Sequence, residues 1–197
     1  MAATVKLIHI LGPKTAPQFI EIDSQGIRYG TGDFVYCDVK YSNKLPPPNN
    51  FYYSYWKHIC LALEGDFTLI TNIRLHAQYP ESGWNLGTDG GQFLALLDDD
   101  SQGHGCPISE YDQARGYEKI TGFWLKDPAN GHQYYKNQTI EPIDLKDVNE
   151  ENAILIDNTE YTGESYTKAA VLQLRIAPDA QTGEFPDCYL IFSWDEI

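Results

Sequence analysis

Apolar runs in this chain are short, and nearly all of them stop at glycine, proline or aspartate. Val5 to Ile10 ends at Gly12–Pro13, and Phe19, Ile20 and Ile22 end at the turn Asp23–Gly26. Ile27–Tyr29 and Phe34–Val39 are separated by Gly30–Asp33. Phe93–Leu97 opens into Asp98–Gly105, and Ile120–Leu125 meets the Asp127–Gly131 turn. Ala169–Ile176 alternates Val171, Gln173 and Arg175 with Leu172, Leu174 and Ile176, and Cys188–Trp194 follows the turn around Pro178–Pro186. Side chains of a strand point alternately to its two faces, so this pattern is the grammar of strands and tight turns rather than of helices. It predicts an all-β chain: an antiparallel β-sandwich, jelly-roll or immunoglobulin-like, with long Gly/Pro-rich loops and little helix, and barrel-like closure as the alternative. With 197 residues a single domain spanning 1–197 is expected, with 1–45 as a candidate peripheral strand segment.

One stretch resists this reading. Asn43 to Leu63 reads NKLPPPNNFYYSYWKHICLAL, three prolines followed by a dense run of aromatic rings. Pro46–Pro48 withholds backbone donors and favours a stiff extended connector. Beyond it, Tyr52, Tyr55, Trp56, Ile59 and Leu63 would share a helical stripe. As a strand, Tyr53, Tyr55, Lys57, Ile59, Leu61 and Leu63 share one face, and Tyr52, Trp56, Cys60 and Ala62 the other. The plausible turn Glu64–Gly65–Asp66, with Phe67, Leu69, Thr71, Ile73, Leu75 and Ala77 alternating behind it, favours a strand paired in a hairpin with the segment ending near Ala77. The expected core draws on Ile59, Leu61, Leu69, Ile73, Val171, Leu172, Leu174, Ile176, Leu190 and Ile191.

The net charge of −14 is uneven, with +2 on residues 1–60 and −16 on residues 61–197. Such a field repels nucleic-acid backbones and anionic membranes, and favours basic partners or divalent cations. Cys37, Cys60, Cys106 and Cys188 form no closely spaced pair, so two disulfides and buried thiols fit equally well. The opening MAATVKLIHILGPKTAPQF lacks the apolar core and cleavage pattern of a signal peptide, and no run is long and apolar enough for a membrane span. The expected location is a virion or another particle released without a signal, or else the cytoplasm. Asn137–Gln138–Thr139 fits a glycosylation acceptor, which without a secretory signal is read as chance.

Candidate chemistry is sparse. Asp98, Asp100 and Gln102 before Gly103 have the spacing of the first half of a calcium loop, but the closing glutamate falls one place late, at Glu110. His104 and Cys106 offer a zinc-type pair with no second pair beside it. His9, His58, His76 and His132 are scattered, so any zinc site would have to be gathered entirely by the fold. The same scatter identifies no activated thiol. Nucleophile-elbow, dinucleotide and phosphate-loop motifs are missing, and choosing catalytic carboxylates among 28 acids, such as Glu81, Asp89 and Glu118, is nearly free. Leu45–Pro48 has no flanking arginine to anchor a proline-motif reading. The aromatic residues Phe51, Tyr52, Tyr53, Tyr55, Trp56, Trp84, Tyr134 and Tyr135 are the candidate contacts, either for a subunit interface or for a carbohydrate stacked on the rings.

Taken together, NKLPPPNNFYYSYWKHICLAL, EGDFTLITNIRL, ESGWNLGTDGG, AAVLQLRIAPDAQTGEF and CYLIFSWDEI give the chain the look of small acidic β-sandwich proteins. In this style it resembles structural proteins of bacteriophages and other prokaryotic viruses. That resemblance implies a capsid-decorating, capsid or tail component, assembled as a homo-oligomer and lacking cofactor or catalytic residues. The strong acidity beyond residue 60 and the missing assembly arm depart from it. The expectation is a non-enzymatic assembly protein working through protein–protein contacts, with no cofactor beyond a structural calcium. A carbohydrate-binding or other surface-recognition module is the alternative.

Overall fold

A computed structural model describes residues 3–22, 26–30, 32–33, 50–80, 83–117, 120–181 and 187–197. The turn at Asp23–Gln25, the Phe34–Val39 strand, Cys37 and the Pro46–Pro48 connector lie outside the described residues. So do Glu81, Glu118 and most of the turn before Cys188.

The described chain is all β. Its strands are β1 (Thr4–Leu11), β2 (Gln18–Glu21), β3 (Tyr52–Tyr53), β4 (Lys57–Glu64), β5 (Ile70–Gln78), β6 (Gly91–Leu94), β7 (Gly116–Tyr117), β8 (Thr121–Gly122), β9 (Ile143–Asp144), β10 (Ile154–Asp157), β11 (Ser165–Tyr166), β12 (Ala170–Ile176) and β13 (Tyr189–Glu196). An eight-stranded antiparallel sheet runs β2-β1-β4-β12-β6-β9, with β11 beside β4 and β3 beside β12; a three-stranded sheet runs β10-β5-β13, and β7–β8 is a separate small hairpin. No helix among the described residues is long and apolar enough to cross a membrane.

The strand reading of Phe51–Leu63 holds from Lys57 on and breaks after Tyr53, and its hairpin does not hold. β4 pairs with β1 through seven residues, from Thr4↔Glu64 to Ile10↔His58, and with β12 on its other side. β5 instead joins β10 and β13. The Glu64–Gly65–Asp66 connection therefore passes the chain from one sheet to the other. β1, in the segment expected to be peripheral, lies between β2 and β4. Ile120–Leu125 contributes only the short β8, and Ile27–Tyr29 is not a strand.

The alternation in β5 slips at its start. Asn72 adopts a left-handed φ of 53°, which asparagine tolerates better than most residues, and its side chain donates to Asp195. This puts Ile70 and Ile73, rather than Leu69, in the core. β13 lies at the edge of its sheet, so Leu190 and Ile191 are only half-buried. The other seven expected core residues are buried.

The large sheet has two covered faces. On the first, Ile59, Leu61 and Leu63 of β4, Leu94 of β6 and Leu172 of β12 share a core with Ile70, Ile73 and Leu75 of β5 and Ile156 of β10. On the second, Trp56, Val171 and Ala95 are covered by the irregular segment 97–142 through Cys106, Ala114, Leu125 and Tyr135. Gln173 of β12 is buried beneath that layer and stitches it down. Its Nε2 donates to the carbonyls of Ser54 and Phe123, each at 2.7 Å, and its Oε1 accepts from the Leu125 N–H. A polar residue on a strand usually marks a solvent face; here its amide supplies the hydrogen bonds a loop lacks.

Candidate metal centre

His58 and Cys60 alternate on β4 with Lys57 and Ile59, and Trp56 just before the strand packs with Val171, so His58 stands on the loop-covered face, opposite Val171 of β12. Cys106 is fixed by an isolated antiparallel bridge to Ala169, with N–H to carbonyl bonds of 2.8 and 2.9 Å. His132 follows the Asp127–Gly131 turn, and its N–H donates to the Leu125 carbonyl at 3.0 Å. These three residues are buried, and one ligand atom from each lies within 4.8 Å of the others.

Two glycines make this convergence possible. A Cβ at Gly131 would lie 2.5 Å from the carbonyl oxygens of both Asp127 and Leu125, and one at Gly105 would lie 2.6 Å from the Ile156 carbonyl. Each bears directly on the neighbouring His132 or Cys106, because only glycine lets the backbone come that close. Asp112 then ties down the layer. Its carboxylate accepts from the Gln133 N–H at 3.0 Å and from Arg115 at 2.8 Å, while its carbonyl accepts from the Trp56 indole N–H at 2.9 Å.

The rings of His58 and His132 meet with their Nε2 atoms 2.8 Å apart. His132 Nδ1 accepts from the Tyr134 N–H at 3.2 Å, so the neutral His132 ring carries its proton on Nε2 and donates it to His58. Tyr111 packs 4.6 Å from His58 between ring centroids, and Trp56 and Tyr135 lie 5.5 and 5.1 Å from His132. Burial in this aromatic shell, reinforced by the facing His132, holds His58 well below the usual histidine range. Burial with the nearby Arg115 and Lys14 charges lowers His132 to about 3. The same burial, with Glu110 and Asp112 nearby, raises the Cys106 thiol far above its ordinary value.

Two neutral imidazoles and a resisting thiol do not make a nucleophilic Cys–His pair, which needs a stabilised thiolate within reach of substrate. They do make a ligand set. Neutral imidazole nitrogens are ready donors, and a metal ion overcomes the cost of thiol ionisation that burial imposes.

The sequence-level site residues fall elsewhere. Of the HGC pair only Cys106 takes part: His104 Nδ1 accepts from the Leu97 N–H, and its carbonyl accepts from the Tyr135 hydroxyl. His9 is buried on the other side of the sheet, and His76 lies on β5. Cys60, Cys106 and Cys188 are free thiols, so the two-disulfide option does not hold. Trp56 and Tyr135 belong to the shell of the centre, with Tyr134 edge-on to Tyr135 at 5.2 Å. Tyr52 and Trp84 pack with Leu86, Leu174 and Ile176. Phe51 is exposed, and Tyr53 and Tyr55 are half-buried.

The calcium expectation is corrected. Asp98 accepts from the Thr139 N–H and hydroxyl and from the Ile140 N–H, which hold its carboxyl below the usual range, so it anchors residues 139–140. The Gln102 carbonyl is taken by the Lys168 ammonium at 2.6 Å, and Asp100 is exposed. A cation placed among the would-be ligands opposes calcium.

The expectation of a non-enzymatic, cofactor-free assembly protein is corrected by the same cluster. His58, Cys106 and His132 form a candidate metal or active centre of transition-metal type. Sequence reasoning named all three residues without joining them; a glycine immediately before Cys106 and another before His132 was the local signal. No protein-family model, curated protein or solved structure matches the chain. The virion and capsid description therefore draws no support from a relative, and it conflicts with the cluster.

Proposed function

We propose that the protein binds a transition metal, with copper as the ion of best fit, through His58, Cys106 and His132, and works as a redox centre. The observation that carries this reading is the mutual approach of one thiol and two imidazole ligand atoms within 4.8 Å in a buried site. A structural zinc takes four protein ligands, and a catalytic zinc keeps a position open to water or substrate. Three ligands closed off from solvent match neither, whereas a thiolate with two histidines is a trigonal copper set. Electron transfer needs no substrate at the metal, so burial is no obstacle. The two nitrogens would have to part slightly: ligating nitrogens at about 2.0–2.1 Å from a metal stand about 3.3–3.6 Å apart, against 2.8 Å here. The shared core of the two main sheets supports a sandwich reading of the scaffold.

The test is metal content and spectrum after loading with copper or zinc. The expected result is one copper per chain and an intense visible thiolate-to-copper band. Cys106→Ser should abolish the band. His132→Ala should weaken copper by more than the roughly 10–100-fold that follows loss of a supporting residue. Failure to retain either metal would overturn the reading, and retention of zinc alone would replace copper and remove the redox role.

A further inference from the structure

A second site lies in the cleft between β3, the β7–β8 hairpin and the turn at 123–128. Its volume is about 800 Å³, within the range of roughly 300–1,000 Å³ typical of small-ligand sites. Phe51, Tyr53 and Trp124 run side by side along it, with centroids 6.4 and 5.3 Å apart and tilts of 40° and 34°. The three rings form a stepped row, each step comparable with one sugar unit. Tyr117 and Phe51, 59% and 38% exposed, leave apolar surface in water at the same place.

The row is held from outside the cleft. The Arg175 guanidinium sits 5.1 Å from the ring centroids of both Phe51 and Trp124 and 4.4 Å from that of Phe93, and its Nε donates to the Asp89 carbonyl. Rings braced in this way lose little freedom when a ligand stacks on them.

The polar groups decide the ligand class. Lys126, the basic residue lining the cleft among the described residues, is spent on the Gln138 and Ile140 carbonyls. Thr121 is spent on the Tyr53 backbone. Among the described residues, the hydroxyls of Tyr53 and Tyr117, the Asn50 amide and Asp127 Oδ2 have no hydrogen-bond partner. With no free cation among the described lining residues and a net charge of −14, anionic ligands are disfavoured. Unspent hydroxyl, amide and carboxylate groups beside exposed ring faces match a ligand with apolar C–H faces and a rim of hydroxyls. We infer that this cleft binds a neutral oligosaccharide, stacking pyranose units on Phe51, Tyr53 and Trp124 and hydrogen-bonding their hydroxyls through Tyr117, Asn50 and Asp127.

This inference does not depend on the metal. Calorimetric titration of the full chain with neutral hexasaccharides (gluco-, xylo- and manno-), a hexauronate and an apolar hexapeptide provides the test. At least one neutral hexasaccharide is expected to bind, and Tyr117→Ala and Phe51→Ala, both at exposed positions, should each weaken it tenfold or more. Cys106→Ser should bind it unchanged, so loss of the metal reading leaves this one standing. Binding of the uronate or peptide alone, no binding of any neutral sugar, or sugar binding indifferent to both variants would overturn the inference.

Discussion

The two faces of the β4–β12–β6 sheet are built from the same strands and covered in opposite ways. One meets a second sheet through aliphatic side chains such as Ile59, Leu172 and Leu94. The other meets a loop layer, and there the strands present His58, Val171, Gln173 and Arg175. A sheet repeats its geometry along its length, so a face that meets another sheet is best filled by similar apolar residues. An irregular segment repeats nothing; it can bring a cysteine, a histidine or a row of rings to a chosen point, provided that its own backbone groups find partners. Chemistry therefore collects on the loop-covered face, where Gln173, Asp112 and the close-packed glycines meet that condition.

Four changes would break or sharpen this contrast. The largest effect is expected from Ile59→Ala on the apolar face, which removes a fully buried side chain and should cost about 4 kcal/mol in denaturant unfolding. The molecules that remain folded should bind metal normally; altered metal affinity would mean the faces are not independent. Gln173→Leu keeps the size but strips the buried carbonyls of Ser54 and Phe123 and the Leu125 N–H of their partner, at about 3 kcal/mol. Hydrogen exchange should speed up at Leu125 and His132 before it does in β4, and uniform acceleration would contradict a separately anchored layer.

The third concerns acid. His9 is buried on the apolar face with both ring nitrogens unpartnered among the described residues. Burial, with the Lys57 ammonium and the neighbouring His58 adding to it, lowers its pKa to about 2. Because the folded value lies below the unfolded one, this histidine contributes stability that is present above about pH 6.5 and is lost as pH falls from there. Relative to pH 8 the loss from His9 alone should reach about 2 kcal/mol at pH 5. His9→Leu should remove that share and leave the share of His58 and His132, whose shifts have the same sign. An unchanged pH profile would place the acid sensitivity entirely on the loop-covered face. The smallest effect is expected from Tyr135→Phe, which removes the hydroxyl donated to the His104 carbonyl and should cost about 1 kcal/mol by thermal unfolding. A cost above that of Gln173→Leu would make this bond, not the amide, the main anchor.

Much of the strand content was legible because it is written locally. β12 announces itself by alternation, β4 by its apolar run, and the turns at Asp98–Gly105 and Asp127–Gly131 by their residues. Pairing was not, because any apolar strand can pair with any other. Glu64–Gly65–Asp66 looks the same whether it closes a hairpin or hands the chain to the next sheet. The same holds for the aromatic run. Tyr52 and Trp56, which share a face in an unbroken strand, end in separate clusters because the strand breaks between Tyr53 and Lys57. Phe51 and Tyr53 instead join Trp124, which no periodicity links to them.

The sequence by itself determined that this is a β chain with acidic, turn-rich connections, since propensity and alternation act between neighbours. Only the tertiary structure decided that His58, Cys106 and His132 stand together. The first and last are separated by 74 positions, and their contact depends on β12 holding β4 on one side and the 97–142 layer on the other. Ligand chemistry is set by residue type, but ligand geometry is a distance between remote parts of a chain, and packing alone fixes that distance.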